Sequence, residues 1–254
     1  MDLRIPLTVN DVKMEQKLRT DFHLHTIDDP RDKQVWHTAF ELFDKAAFLG
    51  YRALAITLHG RQHFPPEWLS YTADLGITLI PGVEQDIEGC HVLLLNFDRD
   101  AANGIRSFEE LARERRPENL VVAAHPFFPS SICLQEKLIE HAELFDAIEV
   151  TGFYQSGWNP NTKAIQVAAE LKLPILGNSD THTLEQLGST FSEVTIAGEA
   201  NPLNLVKAIK AGRVEVQSRA LGALEMGRIT WKVVGRGYMP WVDDKRTRGM
   251  KAAP

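Results

Sequence analysis

Residues 20–26 read TDFHLHT, a short apolar run in which Asp21, His23 and His25 fall on alternate positions. In a β-strand, side chains at i, i+2 and i+4 share a face. Phe22 and Leu24 then point one way, and an Asp with two imidazoles points the other. Such a face is poorly suited to a core and well suited to a metal ion. Alone, the pair is weak evidence, because nine His in 254 residues give about 0.3 His-x-His pairs by chance. A hydrogen-bonded structural pair is the default until further ligands are found along the chain.

The surrounding chain has ordinary globular composition, 44% hydrophobic and 24% charged, at a length that suits one large α/β domain or two small ones. A net charge of −6 gives no global attraction for nucleic-acid phosphates, although a local groove can still bind them. Cys90 and Cys133 make no disulfide framework and suit a reducing compartment. The N-terminal stretch MDLRIPLTVNDVKMEQ lacks an apolar leader, and no window approaches the length of a transmembrane helix. The expected setting is cytoplasmic, away from membranes.

Short apolar runs predict strands at 21–25, 52–58, 77–80, 91–96, 120–124, 146–150, 174–177 and 192–197. Helical periodicity predicts helices at 37–49, 103–115, 134–144, 160–172 and 202–211, with Gly50 and Gly212 closing the first and last. Several strands are apolar throughout, as in a parallel sheet buried on both faces. The alternation predicts a (β/α) barrel or a doubly wound sheet. One domain is expected over 1–224 and a partly flexible C-terminal extension over 225–254, whose end, DDKRTRGMKAAP, reads as a solvated tail.

The unusual polar residues gather at strand ends. His23 and His25 end the first strand, and His59 directly follows RALAITL. Glu84 follows ITLIPGV, and His91 opens HVLLLNF after a turn that brings it back toward Glu84. His125 ends LVVAA, and Asp180 and His182 follow PILG in GNSDTH. In a barrel the C-terminal strand ends form one rim, where catalytic groups collect. Imidazoles and carboxylates together are the ligand set of zinc, manganese or iron.

Taken in order, DFHLHT, ITLHG, PGVEQD followed by CHVLLLNF, AAHPF and GNSDTH resemble the motifs of the PHP family, named for polymerase and histidinol phosphatase. The resemblance runs from residue 20 to about residue 212. It implies a distorted (β/α)7 barrel with two to three divalent cations, Zn, Mn or Fe, on its C-terminal rim. It implies His23, His25, Glu84 and Asp180 for one cation, and Glu84, His91 and His125 for a second. Glu84 is the natural bridge, since a carboxylate can span two cations. His59 and His182 are implied for a third, with a loop ligand. At the family's usual loop position stands Pro30, which cannot bind metal. Asp29 is the expected substitute, with Asp28 and Asp32 nearby. Leu58 stands where the family has Asp, so a hydrogen bond behind His59 is expected to be missing.

The implied activity is that of a metal-dependent phosphoesterase acting on a small phosphorylated substrate, a phosphomonoester or nucleotide. A hydroxide bridging two cations would attack phosphorus. Glu84, Asp180 and His182 are the expected catalytic residues. Arg61 and His63 are expected to bind substrate, since a guanidinium two positions past His59 can clamp phosphate oxygens. The stretch TGFYQSGWN (151–159) is a candidate substrate wall, and Arg31 and Trp36 are candidate lid residues. His37 reads as a surface or helix-end residue, His141 as structural, and Glu149 as outside the ligand set. The acidic charge argues against long nucleic acid. Two other readings stay open: an amidohydrolase-like hydrolase, which shares the His-x-His strand and the late Asp, and a non-catalytic metal-binding accessory module.

Overall fold

The computed structural model describes residues 14–235, and its first strand is longer than the sequence predicts: β1 runs Glu15–Leu24. There follow α1 (Ala39–Phe48), β2 (Ala53–Ile56), α2 (Pro66–Asp74), β3 (Thr78–Leu79), β4 (Gly82–Ile87) and β5 (Cys90–Leu95). Then come α3 (Arg99–Gly104), α4 (Phe108–Glu114), β6 (Leu120–Ala123), α5 (Lys137–Glu140), β7 (Ala147–Thr151) and α6 (Asn161–Leu171). The order ends with β8 (Ile175–Asn178), β9 (Thr190–Ala197), α7 (Pro202–Lys210), β10 (Val214–Ser218) and α8 (Ala223–Thr230). The tail DDKRTRGMKAAP lies outside the described residues.

The strands form two five-stranded sheets, ordered β10-β9-β1-β2-β3 and β4-β5-β6-β7-β8. Two isolated parallel bridges join them at the rim, Leu24 to Thr181 and His59 to Glu84. The α/β class stands. The wholly parallel sheet does not: β9 runs antiparallel to β1 and β10, and β5 runs antiparallel to β4 and β6. The run HVLLLN is apolar because both its faces are covered, not because its neighbours are parallel.

Strand alternation explains how the core divides. Phe22, Ala55, Leu93, Leu95, Leu120, Val122 and Leu176 send side chains from both sheets into one shared cluster, closed by Leu205, Val206 and Ile209 of α7. Val92, Leu94, Val121 and Ala123 point the other way, under α4, α5 and α6. Leu54 and Ile56 face α1 and α2. Both sheets therefore share an inside, and their C-terminal ends open on one rim.

Three local details differ from the sequence expectation. Pro81 lacks a ladder N–H, so the third strand stops at Leu79 and Glu84 belongs to the separate strand β4. The helix predicted over 103–115 divides at Ser107, which caps α4 in a capping box with Glu110. The one predicted over 134–144 shrinks to α5 and a short 3-10 turn at Ala142–Leu144.

Candidate metal centre

Backbone geometry brings five chain segments to the rim. Gly82 starts β4 where an added Cβ would lie 2.8 Å from Leu95 and 2.9 Å from Thr57. That close approach lets β4 reach the end of β2, so that Gly60 N bonds to Glu84 O at 2.8 Å. Glu88 and Gly89, both at positive φ, close the β4–β5 hairpin and fold His91 back beside Glu84. The loop after β8 is strapped to β1: Thr181 N bonds to His23 O, and His25 N to Thr181 O. Asp21 is the buried anchor of that strap, accepting Ser179 N at 3.1 Å and His23 N at 3.2 Å. It therefore positions the loop and does not share the imidazole face. His125 and Asp180 both sit at positive φ, 26° and 52°, a strained conformation for residues with side chains.

Glu84 is the hub. Its Oε1 lies 2.6 Å from His91 Nδ1 and 3.2 Å from His125 Nε2. Its Oε2 lies 3.2 Å from His23 Nε2, 3.3 Å from His25 Nε2 and 3.0 Å from His59 Nε2. Asp180 Oδ1 lies 3.4 Å from His23 Nε2 and from His182 Nδ1, and 3.5 Å from His25 Nε2. Each carboxylate thus faces imidazoles on several sides.

Most of these rings are held from behind. His23 Nδ1 is 2.9 Å from Glu149 Oε1, and His25 Nδ1 and His59 Nδ1 are 2.9 and 3.0 Å from Asp29 Oδ2. His125 Nδ1 rests on Cys133 Sγ at 3.4 Å, and His182 Nδ1 on the Asp180 carbonyl at 3.1 Å. A carboxylate or carbonyl only accepts, so the Nδ1 proton sits there. Nε2 is then turned toward the cluster, the arrangement that orients metal-binding imidazoles. Asp29 also accepts the backbone N–H groups of Arg31, Asp32 and His59. It makes the hydrogen bond behind His59 that Leu58, buried in the apolar core, cannot make.

Within the described residues, His23 Nε2, His25 Nε2, His91 Nδ1 and Asp180 Oδ1 are buried without an aligned hydrogen-bond partner. Buried polar atoms are rarely left so. Here they converge, and overlapping His and carboxylate groups place one ligand atom from each residue within 4.8 Å of the others. Nitrogen and oxygen donors in this arrangement fit divalent cations.

The charges are tightly coupled. Burial disfavours a charged His23, but Glu149, Asp180 and Glu84 outweigh it and raise its pKa to about 10. Burial likewise opposes charge on His25 and His125. Asp180, Asp29 and Glu84 hold His25 well above the usual imidazole range, and Cys133, Glu84 and Asp180 do the same for His125. Against burial, the neighbouring imidazoles hold Glu84 and Asp180 well below the usual carboxylate range. Cation binding would replace protons that now balance these carboxylates.

All nine expected ligands, His23, His25, Asp29, His59, Glu84, His91, His125, Asp180 and His182, fall within these groups, joined by Asp32 and Glu149. Asp32 Oδ2 lies 2.7 Å from His182 Nε2 and 3.4 Å from His59 Nδ1. Glu149, set outside the ligand set on sequence, is fully buried and joins His23 Nδ1, His125 N and Asn178 Nδ2. The signal for it was its place in a rim strand. His37 is no surface residue: it is buried, and its Nε2 lies 2.8 Å from the His25 carbonyl. His141 stacks on Phe108 at 4.1 Å, a structural role. Arg61 is exposed and contacts His63 Nδ1 at 3.3 Å, while the His63 ring packs edge-on against Trp68. Arg31 pairs with Asp86 at 3.3 Å.

No curated protein matches the sequence. A PHP-associated family model matches residues 158–214. Among solved structures, a two-domain protein of Bacteroides vulgatus containing a predicted PHP-like metal-dependent phosphoesterase is 18% identical, with a TM-score of 0.56 over 92% of this chain and 74% of that one. The lesion-specific endonuclease PfuEndoQ of Pyrococcus furiosus is 18% identical, with a TM-score of 0.55 over 79% of this chain and 58% of that one. An amidohydrolase of Chromobacterium violaceum with bound sulfate is 17% identical, with a TM-score of 0.51 over 77% of this chain and 97% of that one. At these identities the structures speak to the fold. The PHP-associated match covers residues 158–214, and the ordered rim motifs resemble those of the PHP family.

Proposed function

We propose that the chain is a metal-dependent phosphoesterase that hydrolyses a small phosphorylated substrate. The observation that carries this reading is the common orientation of the rings: His23, His25, His59, His125 and His182 are each held through Nδ1, and the first four turn Nε2 to the Glu84 carboxylate. Glu84 would be the residue shared by two cations, with His23, His25 and Asp180 available to one and His91 and His125 to the other. His59 and His182 would be available to a third. Asp32 is its carboxylate in place of Asp29, because both Asp29 oxygens already take protein N–H groups. Zn, Mn and Fe all suit this donor set. When bound, such cations supply Lewis acidity and lower the pKa of water. The chain's own groups fix those positions and exclude bulk water.

The shared core of the two sheets supports a distorted (β/α)7 barrel. A single domain over 1–224 is supported by that core too, and the start of the extension packs against it through Ile229, fully buried, and through Arg228 to Glu185 at 2.7 Å. Among the described residues no helix is long and apolar enough to cross a membrane. The two buried free thiols, Cys90 and Cys133, support a reducing, cytoplasmic setting. An oligonucleotide is the competing substrate raised by the likeness to the endonuclease fold, and the net charge of −6 weighs against it.

The test is metal content per chain and a panel of phosphate esters, amides and lactones, with Glu84→Ala beside the natural protein. Turnover of phosphate esters that requires Mn or Zn, with both metal and activity reduced in the variant, is expected. Turnover of amides or lactones alone would move the chain to the amidohydrolase reading. Folded protein that takes up no metal would make it an accessory module.

A further inference from the structure

We propose that a chamber beside Asp180 and His182 holds the leaving group of the phosphate ester and selects an uncharged, aromatic one. The proposal rests on the phosphoesterase reading and adds the substrate class. The chamber is a solvent-open recess of about 230 Å³, and His125, Asp180 and His182 form its inner wall. Phe128, Ile132, Phe153, Ile229 and Val233 face them. Among the described residues no Lys or Arg lines it, Ser130, Gln186 and Thr230 add neutral polar groups, and Asp180 is the one carboxylate, with Oδ1 turned to His23, His25 and His182.

The other side of His182 is different. There a second chamber of about 260 Å³ is lined by the charged and polar Gln34, Glu41, Glu185 and Lys232, with Trp36 and Leu184 beside them. Two neighbouring spaces of similar size thus differ in chemistry, and His182 stands between them. A charged leaving group placed in the first would lose water and gain little in return. A ring placed there would bury apolar surface against Phe128 and Phe153. The space is smaller than a usual ligand cavity of ~300–1,000 Å³, which suits a leaving group rather than a whole cofactor. Phe128 already sits edge-on to His125 at 6.1 Å and to Trp158 at 6.0 Å, the geometry in which aromatic rings accept one another.

The outer wall comes from the C-terminal extension. Ile229 and Thr230 end α8, and Val233 follows in the next turn. Glu185, three residues past His182, pairs with both Arg228 and Lys232, so the wall is tied to the loop that carries the candidate ligand. Residues 225–233 are therefore part of the specificity apparatus and not only a tail.

The experiment compares 2-phenylethyl phosphate with 2-aminoethyl phosphate on the full-length, metal-loaded protein. Both are primary alkyl esters, so they differ mainly in what the leaving group presents to the chamber. The expected kcat/KM favours the aromatic ester by about 10- to 100-fold. Phe128→Ala and Phe153→Ala, both half-buried in the natural protein, are expected to shrink that preference about 10-fold, through KM. Calorimetry with 2-phenylethylphosphonate gives a readout independent of turnover. Binding with a negative heat-capacity change, weakened by Phe153→Ala, supports the chamber. Equal kcat/KM for the two esters, or an unchanged preference in both variants, overturns the proposal and leaves the phosphoesterase reading intact. If neither ester nor any other is hydrolysed, that reading falls instead, and a flat phosphonate titration would then overturn the chamber as well.

Discussion

At the inner end of the cluster His23, His25 and Glu84 are 0, 0 and 2% exposed, while at the outer end the side chains of Asp32, Asp180 and His182 keep 17, 22 and 16% of theirs. The inner imidazoles come from the end of a long strand, and each leans on a second buried carboxylate, Glu149 or Asp29. The outer groups come from loops: Asp32 and His182 contact each other, and Asp180 reaches His182 as well as the inner His23 and His25. Burial makes every inner charge costly unless it is answered, so the inner half is over-determined by its partners. The outer half is cheaper to disturb, and it borders both chambers.

Glu84→Gln attacks the inner half and carries the largest expected effect. It keeps the shape and removes the charge that five imidazoles face. Bound metal is expected to fall by about two cations per chain, and kcat/KM by about 10³-fold. Full metal content by plasma mass spectrometry in a well-folded variant would break the contrast, because Glu84 would then not be the shared ligand.

Asp32→Asn attacks the outer half. Loss of about one cation per chain and a 10- to 100-fold drop in activity are expected, with the inner cations retained. Asp29→Asn is expected to weaken more than one cation at once, since Asp29 orients both His25 and His59. If the two variants lose metal in the reverse pattern, the roles of Asp29 and Asp32 are exchanged.

Acidity sharpens the contrast in the metal-free protein. His23 has its pKa raised to about 10, above ~6.5 in an unfolded chain. Its contribution to stability is then complete below pH ~6.5 and is lost as pH rises through 10. Asp21, which burial pushes up to about 7 against its amide donors, acts in the same direction over a lower range. The metal-free melting temperature is therefore expected to fall between pH 7 and 10.5. Loading with metal at pH 7 is expected to release protons, read by calorimetry in two buffers of different ionisation enthalpy. No proton release would mean that the imidazoles were already neutral.

What the sequence made legible follows from the range of each interaction. The His-x-His strand, the helix over 37–49 and its Gly50 stop are local patterns, and all are found, the helix beginning at Ala39 after a Thr38 cap. The strand-end histidines were placed correctly because strand order and rim position need only coarse periodicity. The sequence alone could not weigh Asp32 against Asp29, because that choice depends on which backbone N–H groups fill Asp29, and those are set by the fold of the 26–32 loop. Glu149 was set aside because a buried carboxylate at a strand end looks the same on sequence whether it binds metal or holds a ring. Short β10 and α8 carry weak patterns, yet α8 supplies a wall of the site.

Cys133 offers the smallest and most specific test of the inner half. Its Sγ is the contact behind His125 Nδ1, at 3.4 Å, in a place where His23 and His25 have carboxylates. Sulfur is a weak acceptor, so this ring is the least firmly held of the three. Cys133→Ala is expected to leave a buried ring nitrogen unanswered and to weaken the second cation by about three- to tenfold. Cys133→Ser, which restores an acceptor of similar size, is expected to recover most of that affinity. The variants are compared by competition for Zn or Mn with a coloured chelator, beside their melting curves. If Ala and Ser behave alike in affinity while both still fold, Cys133 serves packing alone, and His125 is oriented by the Glu149 bond to its backbone N–H at 2.8 Å. Control of the second cation would then pass to Glu149, and Glu149→Gln would be expected to loosen His23 and His125 together.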